Sequence, residues 1–124
     1  MSRALRRPSS RTRKERGGHP ALSTPRLNEL VEEATIDAHD DSEQLVGLLC
    51  MLEEYLAVPF TTEILGTAVR VERVDTNDAD DIVAICHGGG RRQKIHLLDL
   101  PLPSPPPDGW EWIAAYRHWA RHHR

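Results

Sequence analysis

From residue 27 apolar side chains return every three or four positions, and after residue 59 the period drops to two. Leu27, Leu30, Val31 and Ala34 fall at i, i+3, i+4 and i+7, with Glu29, Glu32 and Glu33 on the other face. That spacing predicts a short amphipathic helix, opened by Thr24 as N-cap and Pro25 as its first residue. β-Branched Thr35 and Ile36 and then Asp37 end it, and the acidic turn 37–42 reverses the chain. A second helix is predicted over 41–58, with Leu45, Leu48, Leu49, Leu52, Tyr55 and Leu56 as its apolar stripe and Pro59 as its stop. Two such helices sharing their apolar faces make an antiparallel hairpin.

Beyond Pro59, residues 60–65 and 67–74 read as strands, with Val69, Val71 and Val74 facing a core and Gly66 as a bend or bulge. DTNDADD (75–81) reads as a turn, 82–86 as a buried strand, HGGGR (87–91) as a glycine-rich hairpin and 93–98 as its return. PLPSPPP (101–107) is extended polyproline. Asp108 with Glu111 then forms a capping box for a last helix, whose Trp112, Tyr116 and Trp119 share one docking face. The expected fold class is α+β: an N-terminal acidic helical hairpin, a small bent antiparallel sheet of barrel-like curvature, and a docked C-terminal helix.

Charge divides this picture in two. The net charge of −3 combines eight Arg/Lys against one Glu in residues 1–26 with eight Arg/Lys against eighteen Asp/Glu in residues 27–124. Residues 1–24 are expected to be a disordered basic arm, and 25–124 a single domain. Cys50 and Cys86 are too few for a disulfide framework and read as buried free thiols in a reducing compartment. With no apolar run of eighteen residues and no apolar leader, the chain is expected to be soluble and cytoplasmic, without membrane contact.

Several chemistries are argued against by spacing. Asp75 and Asn77 fit the first and third positions of an EF-hand loop, but Ala79, Asp80 and Cys86 stand where an oxygen ligand, glycine and glutamate are needed. His87 beside Cys86, and His118 with His122, lack the cysteine pairs of a zinc site. HGGGRR has neither phosphate-loop spacing nor a following helix. No nucleophile–base pairing stands out, so no enzyme is expected.

What remains is acidic. Ten Asp/Glu lie between Glu29 and Glu63, and no basic residue occurs between Arg26 and Arg70. Hard cations take oxygen ligands, and clustered carboxylates repel one another until a cation arrives. Two half-sites are expected: Asp37, Asp40, Asp41 and Glu43 around the turn, and Glu53 with Glu54 at the end of the second helix. Glu43 and Glu54 share a helical face but stand about 16 Å apart at the helical rise, so they cannot share one ion. At the helix end, unpaired carbonyls, the negative end of the dipole and Pro59 favour a cation, with Glu29 of the first helix within reach. The rival reading is a non-enzymatic adaptor or nucleic-acid-binding module, using the basic arm and the Arg91, Arg92 and Lys94 patch.

EATIDAHDDSEQLVGLLCMLEEYLAVPF, followed by a valine-rich strand, resembles the small bacterial calcium-binding proteins of the CcbP type. The matching pieces are Ile36-Asp37-Ala38, Glu43-Gln44, Glu53-Glu54 and Pro59-Phe60, in the family's order, within residues 26–100. The resemblance implies calcium bound by carboxylates outside any EF-hand, and a part in buffering or sensing cytoplasmic calcium. It carries the ligand role to Asp37, Glu43, Glu53 and Glu54, with Asp40 and Asp41 as neighbours.

Overall fold

In the computed structural model, which describes residues 21–123, Ser23 rather than Thr24 caps the first helix. Its hydroxyl accepts from the Arg26 amide at 3.2 Å, and α1 spans Thr24–Ala34. Most of the basic arm, residues 1–20, lies outside the described residues. Thr35 closes α1 by donating its hydroxyl to the Val31 carbonyl at 2.7 Å.

The second helix, α2, spans Asp41–Tyr55 and so ends three residues before the expected boundary. Two causes are visible. Val58 precedes Pro59 and is biased away from helical backbone. Leu56 is already extended at ψ 121, and the Ala57 amide donates outward to the Asp108 carbonyl at 2.8 Å.

Four strands follow as an antiparallel meander in the order β1-β2-β3-β4: β1 Phe60–Ile64, β2 Thr67–Thr76, β3 Ile82–Gly88 and β4 Arg91–His96. The sheet is open, not barrel-like. Four strands cannot close a cylinder, and β1 and β4 stay at opposite edges. Ile64 pairs Thr67 across Leu65 and Gly66, both at positive φ (50 and 82), so Gly66 belongs to a two-residue hairpin turn rather than a bulge. The bulge lies at Glu72, where the register steps from Val71↔Cys86 to Arg73↔Ile85. That extra residue explains a broken period: Val69 and Val71 alternate, then Val74 faces the same core one position out of phase.

A 3₁₀ turn, Leu97–Asp99, leads through the proline-rich stretch to α3, Trp110–His123. The residue before Trp110 is Gly109, at φ 85, so Asp108 stands one position too early for the expected capping box. The three helices pack on one another, with α2 against β2 and α3 joined to β3 through Tyr116. Leu30, Leu48, Leu52, Val71, Ile82, Cys86, Ile113, Tyr116 and Trp119 join in one core. Val83 and Ile85 are equally buried but outside that cluster; alternation turns them to the sheet face away from the described helices, flanked in register by Arg73, Asp75, Lys94 and His96.

The docking of α3 is fastened by polar groups that the sequence places far apart. Trp119 donates its indole N–H to the Gln44 side-chain Oε1 at 2.7 Å, and the Tyr116 hydroxyl accepts from the Ile82 amide at 3.1 Å. Arg117 donates Nε to the Leu97 carbonyl at 3.1 Å and Nη2 to the Leu100 carbonyl, holding the 3₁₀ turn against α3.

Candidate cation-binding surface

All ten acidic residues from Glu29 to Glu63 face solvent. Within that set, and among the described residues, Glu29 alone is in an ion pair, with Arg26 of its own helix at 3.1 Å. The expected reach of Glu29 toward the end of α2 is therefore replaced by a local contact.

At the turn, two of the four expected ligands serve the helix. Asp40 is the N-cap of α2, and its Oδ1 accepts from the Glu43 amide at 2.9 Å. The Glu43 Oε1 accepts in return from the His39 amide at 2.6 Å. This reciprocal pair is a capping box displaced by one residue. Asp41 is the first helical residue, where negative charge suits the positive end of the helix dipole. Asp37 stands apart in the preceding turn, exposed.

At the other half-site, backbone occupies part of the space by the carbonyl end of α2, while Glu53 and Glu54 stay exposed. A side chain on Gly109 would lie 2.1 Å from the Tyr55 carbonyl oxygen, so backbone at the entry to α3 lies against the carbonyl end of α2 where a cation was expected. Glu53 lines a hollow of about 240 Å³ with Val58, Arg73, Val74 and Asp75, and so has a guanidinium nearby. Glu54 is exposed beside it in sequence. Among the described residues, no three His, Cys, Asp or Glu side chains converge as a metal cage. Asp37, Asp40, Asp41 and Glu43 thus share a surface without forming a preassembled calcium site.

The remaining ligand candidates are engaged or split. Asn77 folds the 75–81 loop on itself, its Oδ1 accepting from the Ala79 and Asp81 amides at 2.9 Å each. Cys86 lies in the core while neighbouring His87 is exposed, so the pair cannot meet one ion. His118 Nε2 contacts the Asn28 Oδ1 at 2.8 Å and His122 Nδ1 contacts the His118 carbonyl. Burial first, then His122 and Arg121, hold the His118 imidazole below its ordinary pKa.

Between the end of α1, the turn and α2 runs an open groove of about 560 Å³. Its floor is apolar, from Ala34, Ile36, Ala38, Val46, Gly47 and Met51, and Glu33, Asp37 and Glu43 stand along it. Ile36 and Val46, 77% and 55% exposed, add apolar surface to the groove. Gly47 makes the groove: a Cβ there would sit 2.1 Å from the Ala34 carbonyl oxygen, so only glycine lets the helices approach this closely. Cys50 is exposed in this groove, contrary to its expected burial, because position 50 lies off the Leu45, Leu48 and Leu52 stripe. Cys86 is buried as expected, and burial pushes its thiol pKa up. The groove went unread because its apolar residues form a second, sparser line at 46 and 50 that the acids at 43 and 54 bracket.

No helix among the described residues is long and apolar enough to cross a membrane. No protein-family model, curated protein or solved structure matches this chain.

Proposed function

We propose that this chain is a non-enzymatic calcium-binding protein that works through the exposed acidic surface of α1, α2 and their connecting turn. The observation that supports it is exposed charge: all ten acids face solvent, and among the described residues Glu29 alone of them is in an ion pair. Calcium at the turn would draw on Asp37, Asp41, loop carbonyls and the second oxygens of Asp40 and Glu43. With no preassembled cage, the affinity belongs at the weak end for protein sites, about 10⁻⁴–10⁻³ M. In this reading the protein buffers or senses calcium rather than storing it tightly.

Isothermal titration of the metal-stripped protein with Ca²⁺, repeated in excess Mg²⁺, tests this. The expected result is a weak calcium isotherm that survives Mg²⁺, and a melting temperature that rises with Ca²⁺ beyond a matched NaCl control. Asp37→Asn with Asp41→Asn should abolish both while keeping the fold. No heat and no specific shift in melting temperature would sink the calcium reading.

A second reading follows from the apolar floor of the groove, which a small ion does not need. Exposed Ile36 and Val46 beside Glu33, Asp37 and Glu43 suit a basic, amphipathic polypeptide, as in an adaptor. The nucleic-acid variant of that reading has less support. Alternation puts Arg92 and Lys94 on the open sheet face and Arg91 on the other, and Arg92 stands 3.9 Å from Glu72.

A further inference from the structure

The α1–α2 groove has a candidate occupant within this same chain. Its requirements are apolar side chains for the floor over Val46 and Ile36, and cations opposite Glu33, Asp37 and Glu43. Residues 27–69 contain no Arg or Lys, so the cations must come from elsewhere. The first seven residues, MSRALRR, combine Met1, Ala4 and Leu5 with Arg3, Arg6 and Arg7. The segment thus offers three cations for three acids, with apolar residues at sequence spacing i, i+3 and i+4.

Reach is sufficient. The described chain begins at Ala21, just before α1, and the groove lies at the other end of that helix, about 15 Å away at the helical rise of eleven residues. Residues 8–20 can span up to about 45 Å when extended. We propose that residues 1–7 dock in the α1–α2 groove of their own chain, so that the basic arm is an intramolecular ligand which an external basic partner must displace. This names the occupant for the second reading above and rests on it; calcium binding is not required.

Cys50 reports directly, because it lines the groove and is exposed while Cys86 is buried. Its reaction with a thiol reagent is followed in EDTA, in the full chain and in a full-length R3E/R6E/R7E variant. The native chain should react roughly fivefold more slowly at low salt, as for a docked state near 80% occupancy. The gap should close in about 0.5 M NaCl, where the screening length is only a few ångströms. It should also be independent of protein concentration. Equal rates at low salt overturn the proposal, as does protection that grows with concentration, which would mean docking between copies. Adding a synthetic peptide of residues 1–18 to the charge-reversed variant separates the two claims. If the native arm gives no protection but the peptide does, the groove binds basic polypeptides and the intramolecular assignment fails. If neither protects Cys50, both fail.

Discussion

Two glycines and one ring hydrogen bond decide how close the helices can come. Gly47 and Gly109 each leave room for a facing carbonyl oxygen, of Ala34 and Tyr55, at distances where a Cβ would overlap backbone. A backbone obstacle cannot swing aside as a side chain can, so Gly47→Ala must part α1 from α2. A loss of about 1–3 kcal/mol, typical of overpacking, is expected from chemical denaturation. An unchanged midpoint would show that the helices separate at no cost. Trp119 and Gln44 supply the matching polar lock. Gln44→Leu leaves the indole N–H without that acceptor in a half-buried site and should cost about 1–3 kcal/mol. A mutation cycle with Trp119→Phe would show whether the loss belongs to the pair. Leu65 works the other way. It holds φ 50 with its side chain fully exposed, in a turn that favours Asn-Gly, so Leu65→Asn should raise stability by about 1 kcal/mol.

At the level of the element, the N-terminus of α2 shows why an acidic cluster is ambiguous. Asp40 and Glu43 were expected as ligands, and the structure uses them to satisfy the orphan amides of Glu43 and His39. Capping and chelation predict different orders of damage. Asp40→Asn keeps a capping oxygen and should change stability little, while Asp40→Ala should cost about 1 kcal/mol in thermal unfolding without calcium. If the Asn and Ala variants unfold alike, the cap contributes nothing there. Much of the element pattern was legible because periodicity is local: the Leu45, Leu48 and Leu52 stripe and the Trp112, Tyr116 and Trp119 face are buried as read. Illegible parts depend on partners distant in sequence. Gly109 covers the carbonyl end of α2 from more than fifty residues away, and the acids at 53 and 54 carry no trace of it. The Glu72 bulge is an intermediate case, since the valines at 69, 71 and 74 announce a phase shift without saying where it falls.

pH acts across the helix layer through His118, which joins α3 to Asn28 of α1. Its folded pKa is depressed below the ordinary 6.5 by burial and by the cationic neighbours His122 and Arg121. The unfolded chain therefore binds this proton more readily than the folded one, and stability rises with pH through that window. The contribution is complete above pH 6.5 and is lost as pH falls through the depressed value. Thermal unfolding should show this decline as pH falls below about 6.5, and His118→Gln should flatten that portion of the curve. An identical slope in the variant would assign the decline to other groups.

For the whole molecule, the open sheet raises the question of what stops it from pairing with another copy. A strand edge offers unpaired amides and carbonyls to any other edge. At β1 the chain itself helps: the Thr62 hydroxyl donates to the Pro101 carbonyl at 2.7 Å, drawing the proline-rich stretch against that strand. At β4 no described element follows in the sheet, and charge is what the exposed side chains offer against pairing. Arg91, Arg92 and Lys94 are exposed on this edge strand, where the charges of one copy meet like charges of another. That role accounts for the basic patch without a nucleic acid. It predicts that Arg92→Thr with Lys94→Thr, which suits a strand better and removes the repulsion, leaves the fold intact but makes the protein self-associate. Sedimentation across a range of concentrations should then show dimers and larger species in the variant, and a single species in the native chain at low salt. High salt should move the native chain toward the variant, because screening removes the same repulsion. A variant that stays in the native assembly state would return Arg92 and Lys94 to the list of surfaces that need a partner.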